Sequence, residues 1–268
     1  MISVSFQHLL ENLILRRQNE ERKSWLLKKR SRRIGSIIRR RVLKLESQSF
    51  KSDQDRRIEQ IQIREVKLGH ETFWTNSQSG QDVFVQIVFA GMNSGRYLEI
   101  GSAWPDRISN TYVLERKFNW TGVSLDLDPV MVHKFREMRE NLVIQSDATK
   151  IDYKILCKEL SVEPIFDYLS VDIDPAYQSY FALKKIIGDG VMFACLTFEH
   201  DKYRSGYLVQ FASGVLLRSK GYSRVAKDIC AKDFGKYEDW WLLNSNFSKR
   251  ELEEIRKKVR QLRINFSY

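Results

Sequence analysis

A chain of 268 residues with 43% hydrophobic and 12% aromatic residues has the apolar material for one large core plus an appendage, which excludes a disordered or fibrous protein. The net charge of +11 is local: residues 1–70 hold 18 Lys/Arg against 8 Asp/Glu, and the remainder holds 27 against 26. Cys157, Cys195 and Cys230 are odd in number and far apart, which excludes a disulfide framework and a paired-cysteine zinc site.

The first segment, residues 1–70, reads as a basic helical arm and linker. Leu9, Leu10, Leu13 and Ile14, then Trp25, Leu26, Ile34, Ile37, Ile38, Val42 and Leu45, recur at helical spacing. Residues 28–41, KKRSRRIGSIIRRR, are the most basic stretch. Clustered cations suit an anionic partner, nucleic acid or a membrane surface. They equally suit a solvated or homo-oligomerising appendage. No run approaches the ~20 apolar residues of a membrane span, and Glu11 and Asn12 interrupt the N-terminal apolar stretch. A soluble cytoplasmic protein is therefore expected.

From about residue 71 to 247 the pattern alternates. A helix is predicted over 81–92, then strands at 96–101, 120–128, 142–148, 166–174 and 191–200. Helices fall between them at 109–118, 131–140, 153–160 and 177–187. Such alternation predicts parallel βαβ units in a doubly wound, mostly parallel sheet. Two late strands are read at 221–233 and 237–244. Residues 248–268 form a C-terminal helix opened by the capping box Ser248/Glu251.

The strand ends carry the candidate ligand groups, because open α/β sheets bind beyond their carboxyl edge. Glu99-Ile100-Gly101 closes the first parallel strand, with Ser102 after it. Asp126 closes the second and suits two ribose hydroxyls. Asp147 closes the third and suits an adenine amino group, while Asp172 and Asp174 close the fourth. The first turn, GSAWPDR, lacks the G-x-G-x-x-G that a dinucleotide pyrophosphate needs. S-adenosylmethionine has no phosphate, so the pattern favours that cofactor.

The stretch SQSGQD, followed by RYLEIGSAWPDRISNTYVLERKFNWTGVSLDLDP, resembles the FkbM-type methyltransferases. FDYLSVDID, FACLTFEHDKYRSG, GYSRV and YEDWW extend the resemblance over roughly residues 74–245. It implies a Rossmann-like class I methyltransferase fold and methyl transfer to an oxygen, often on a sugar. It also implies that Glu99, Gly101, Asp126 and Asp147 line the cofactor site. Trp104-Pro105 departs from the Asp-Gly of many members, and a proline cannot take positive φ.

For the chemistry, Glu199-His200-Asp201 closes the fifth strand beside Asp172. His200 is the expected general base, with Asp172 and Glu199 as catalytic partners. Asp172, Glu199 and Asp201 are alternatively Mg²⁺ ligands. A strand-end histidine can also be a hydrogen-bonded loop residue, and Asp174, before Pro175, a helix cap. Glu238, Asp239 and Trp240, with Trp241, suit saccharide binding through hydroxyl contacts and stacking, or are core of a late strand. The leading expectation is a sugar or polyol O-methyltransferase. An RNA methyltransferase using the basic arm, and an inactive scaffold whose Trp104-Pro105 turn closes the cofactor site, are the alternatives.

Overall fold

The computed structural model describes residues 63–230 and 235–266; the basic arm, and every expectation placed on it, lies outside them. In chain order the elements are β1 (Arg64–Leu68), β2 (Glu71–Thr75), α1 (Gln81–Val88), β3 (Arg96–Ile100), α2 (Tyr112–Phe118), β4 (Thr121–Asp126), α3 (Pro129–Met138) and β5 (Leu142–Gln145). They continue as α4 (Tyr153–Glu159), β6 (Ile165–Val171), α5 (Ala176–Gly188), β7 (Met192–Glu199), α6 (Lys202–Ser205), α7 (Leu208–Ser219), β8 (Tyr222–Cys230), β9 (Lys236–Leu243) and α8 (Lys249–Phe266).

Seven strands form one sheet in the order β5-β4-β3-β6-β7-β9-β8. β3 to β7 run parallel, and β9 inserts antiparallel between β7 and β8. The chain winds outward from β3 to β5, then returns to β6 and winds the other way. The topological switch point therefore lies between β3 and β6, where such sheets bind ligands. This is the mostly parallel, Rossmann-like methyltransferase architecture expected from the alternating pattern, with the late strands supplying its antiparallel edge.

Central strands are apolar because both faces are covered. Leu98, Ile100, Leu169, Val171, Leu196 and Phe198 are at most 1% exposed. β9 is equally enclosed: Trp240 stacks on Phe84 of α1 with ring centroids 4.9 Å apart, and Trp241 is fully buried beside Arg218 of α7 and Arg224 of β8. Strict alternation leaves one of two adjacent tryptophans outside a one-sided sheet. Here helices cover both faces, so neither indole is available to stack on a sugar.

Two regions escaped the sequence reading. β1 and β2 pair as an antiparallel hairpin within and beyond the stretch read as linker, tied to α8 by Lys258–Glu71 at 2.7 Å. α7, unassigned from sequence, packs buried Val209, Ala212, Leu216 and Leu217 inward. The α8 capping box is formed as expected: Ser248 Oγ accepts from Glu251 N at 3.2 Å, and Glu251 Oε2 accepts from Ser248 N at 2.7 Å. Among the described residues no helix is long and apolar enough to cross a membrane, and the three cysteines are free.

Candidate active site

Beyond the carboxyl ends of β3 to β6 lies a cavity of about 570 Å³. Gly101, Asp126, Asp147 and Asp172 all line it, together with Asp128, Ser146, Ala148, Thr149, Asp174 and Gln178. The acids that sequence spacing placed at the ends of β4, β5 and β6 thus meet around one space, with the Gly101 turn at the end of β3. The Trp104-Pro105 turn does not close it. Trp104 faces Lys134 of α3, whose ammonium lies 4.5 Å from the ring, and Pro105 O accepts from Arg139 Nη1 at 2.9 Å.

Gly101 is where the backbone requires glycine. Its φ is +83°, and a Cβ there would lie 1.8 Å from the Asp172 carbonyl oxygen. β3 and β6 can approach at the switch point only without a side chain. Asp126 is fixed by two backbone donors, Ala103 N to Oδ2 at 2.8 Å and Asp128 N to Oδ1 at 2.9 Å. Oδ1, with a single donor, keeps a lone pair, which suits a ribose hydroxyl. Ser102 is buried, with its hydroxyl 3.5 Å from Asp126 Oδ2, so it supports that carboxylate. Asp147 accepts from Thr149 N and Oγ1 at 3.0 and 2.6 Å, and these with Lys150 hold it below the ordinary carboxylate range.

Glu99 does not line the cavity. It is 3% exposed and accepts from Thr111 Oγ1 at 2.9 Å and Ser124 Oγ at 2.6 Å, which ties β3 to α2 and β4. Burial raises its carboxyl above the usual range. Its place two residues before the cavity, on the covered face of β3, makes it a structural acid.

Asp172 lines the cavity at the end of β6. Desolvation raises its carboxyl, and the charges on Asp201, Asp174 and Asp126 add to this, against a hydrogen bond with Glu199 that lowers it. Glu199 lies behind, held far above the usual range by burial and then by Asp172 and Asp201. Directly across the β7–β9 register stands Glu238, which is 3% exposed. Glu238 accepts from Gln81 Nε2 at 2.8 Å and from the Trp240 indole, and burial pushes it up to about 8.

His200 is placed elsewhere. It is completely buried and does not line the cavity. Its Nδ1 accepts from Lys202 N at 3.2 Å, and its Nε2 lies 3.4 Å from Asp239 Oδ1. Asp239, 1% exposed, also accepts from Arg224 Nη1 at 2.8 Å and Asp228 N at 2.8 Å. The general-base expectation for His200 is corrected on this ground, since no acceptor reaches a sealed ring. The saccharide-binding expectation for Glu238, Asp239 and Trp240 falls for the same reason.

Nor do Asp172, Glu199 and Asp201 converge on a metal position. Among the described residues the one His/Cys/Asp/Glu set whose atoms lie within 4.8 Å of one another is His200, Asp228 and Asp239. Arg224, Lys202 and Lys236 already neutralise its two carboxylates, and Gln210 Nε2 donates into it at 2.8 and 3.0 Å. A metal-bound imidazole needs an acceptor for its second N–H, whereas His200 Nδ1 meets a donor. The residues do not fit Mg²⁺ at either place.

Two polar networks frame the site without an obvious sequence signal. The buried Arg139 guanidinium pairs with Glu115 at 2.7 Å and donates to Tyr97 and Thr111 at 3.2 and 3.1 Å. Asp82, fully buried, accepts from Thr75 Oγ1, Ser77 Oγ and the backbone of Asn76, Ser77 and Val83. The SQSGQD stretch is therefore a knot at the start of α1, and its Gln81 reaches the acid group through Glu238.

No protein-family profile and no curated protein sequence matches the chain, so the FkbM resemblance rests on the motif residues quoted above. Solved structures that resemble it include an O-methyltransferase from Bacillus cereus in complex with SAH, at 16% identity and TM-score 0.44, covering 66% of this chain and 84% of that one. An rRNA methylase from Streptococcus thermophilus shares 7% identity at TM-score 0.43, covering 60% and 94%. Human methyltransferase-like protein 13 in complex with SAH shares 13% at TM-score 0.44, covering 69% and 90%. At such scores these are similarities of architecture only, and the reading of the site rests on its own residues.

Proposed function

We propose that the chain is an S-adenosylmethionine-dependent methyltransferase acting on a hydroxyl acceptor, of the sugar or polyol class that the FkbM resemblance implies. One observation carries the reading: a cavity at the switch point, lined by the Gly101 turn at the end of β3, by carboxylates at the ends of β4, β5 and β6, and by no glycine-rich phosphate nest. Asp126 would hold the ribose hydroxyls and Asp147 the adenine edge, while the Gly101 turn leaves the backbone accessible. The donor set fits a nucleoside that carries positive rather than negative charge. When bound, S-adenosylmethionine supplies an electrophilic methyl group and departs as a neutral thioether.

The chain's own contribution is acid–base. Methylating an alcohol requires that the hydroxyl lose its proton as the oxygen attacks. Asp172 is the one group of the acid set that both opens onto the cavity and is held above the ordinary carboxylate range, so it takes the role first expected of His200. The open cavity supports an active enzyme over a closed scaffold. No described residue favours the RNA alternative.

Calorimetric titration with S-adenosylhomocysteine tests the cofactor assignment. Binding should weaken about ten- to a hundred-fold in Asp126→Ala, the cost of losing charge-assisted hydrogen bonds. Failure of the folded wild-type protein to bind would refute it.

A further inference from the structure

The turn that carries Ala103 to Asp126 is held in a shape its residues disfavour. Ala103 and Ile108 both stand in the left-handed region, at φ 44° and 47°, without being glycine. For a β-branched side chain such as Ile108 this is a true outlier, and such strain persists only where the surrounding structure enforces it. The strained Ala103 is the residue whose N–H donates to Asp126 Oδ2 at 2.8 Å. From Ala103 to Ile108 the backbone joins no helix or strand, so the restraint comes from outside the turn.

Much of it comes from the chain after β4. Asp126 closes β4, and Asp128 N returns to Asp126 Oδ1 at 2.9 Å as α3 begins. Two cations of this segment then reach the turn. Lys134 of α3 lies 4.5 Å from the Trp104 ring, and the buried Arg139, at the C-cap of α3, donates from Nη1 to Pro105 O at 2.9 Å. Downstream the turn is bolted to the sheet. Asn110 Nδ2 donates to Ser170 Oγ of β6, and Thr111 Oγ1 to Glu99 of β3, each at 2.9 Å.

We propose that Arg139 is a positioning residue for the cofactor site: its hydrogen bond to Pro105 O locks the Trp104-Pro105 turn, and the locked turn aims the Ala103 N–H that fixes the Asp126 carboxylate. Pro105 suits the lock. A proline has one preset backbone dihedral and no N–H, so a buried proline needs a partner for its carbonyl alone. The guanidinium is divided accordingly. Nε and Nη2 serve Glu115, Tyr97 and Thr111, which leaves Nη1 for Pro105 O and, at 3.5 Å, Ser109 Oγ. A lysine ammonium would neutralise Glu115, but as a single point charge it does not span to the turn as well.

The consequence for cofactor binding rests on the methyltransferase reading, but the first test needs no cofactor. In Arg139→Lys, amide hydrogen exchange over residues 102–108 of the full chain should quicken about ten-fold. Affinity for S-adenosylhomocysteine, read by calorimetry, should fall by about the same factor of ten. Glu115→Gln is the counterpart: it removes the charge paired with Arg139 and keeps the Nη1 bond. It should lower the denaturation midpoint yet leave turn exchange and affinity within about two-fold of wild type. If Arg139→Lys does not fold, Pro105→Ala tests the lock without touching the Arg139–Glu115 pair, and freeing the dihedral should quicken the same exchange. Exchange and affinity that follow the denaturation midpoint alike in Arg139→Lys and Glu115→Gln, or that keep wild-type values in Arg139→Lys and Pro105→Ala, overturn the positioning role. A turn that loosens in Arg139→Lys, in a protein that does not bind S-adenosylhomocysteine, would remove the methyltransferase reading and leave the lock standing. Binding indifferent to a loosened turn would do the reverse.

Discussion

Gly101 and Arg139 mark how single residues carry the site. Adding a Cβ at Gly101 forces the Asp172 carbonyl away in a backbone conformation that alanine disfavours. Gly101→Ala should cost about 3 kcal/mol or more and abolish S-adenosylhomocysteine binding, read by urea denaturation and calorimetry. Arg139→Met leaves Glu115 as a buried, unpaired charge and should cost about 3–5 kcal/mol. Arg139→Met with Glu115→Leu should recover part of that loss; a double variant less stable than the single would contradict the ion-pair account. Glycine and strand-end acids were legible in the sequence because each occupies a fixed offset from an apolar run. Arg139 was not, since nothing local distinguishes a cation destined for burial from one on the surface. His200 misled for a related reason: its position at a strand end is visible in the sequence, but the α7 and β9 side chains that seal it are not.

At the scale of elements, the alternating strands and helices were readable because parallel βαβ units impose period and length together. The β1–β2 hairpin was not, as REVKL and ETFWT alternate weakly beside a polar stretch. α7 was hidden because LVQFASGVLLRS is apolar around most of its circumference. Its burial beneath β8 and β9 explains that composition. The EDWW segment shows the limit of alternation: it holds for a sheet with one wet face, and β9 has none. α8 fastens the hairpin to the sheet through its buried side. Leu262→Ala, at 0% exposure, should cost about 2–5 kcal/mol. Ile264→Ala, two residues on and 61% exposed, should fall within about 0.5 kcal/mol of wild type by the same denaturation curves. Equal losses would mean that α8 does not pack as described.

The whole molecule concentrates buried acids around one end of its sheet. Asp82, Glu99, Glu199 and Glu238 are all held above their ordinary range, burial being the first cause in each. A carboxyl raised on folding stabilises while protonated: its contribution is complete below about 4 and is lost as pH rises through its folded value. For Glu238 that window closes at about 8. Glu115, Asp147, Asp228 and Asp239 are held low, so they stay ionised above pH 5 and add no slope there. Stability should therefore fall between about pH 5 and 8, and Glu238→Gln should flatten the fall. A wild-type denaturation midpoint constant over that range would refute the assignment. The same geometry gives the protein an optical gauge of its own ionisation. Because the Trp240 indole donates to Glu238, loss of that carboxyl's proton changes the electric field across a fluorophore sealed from solvent. Intrinsic emission should shift in a single step centred near pH 8, and the step should vanish when Glu238 becomes glutamine.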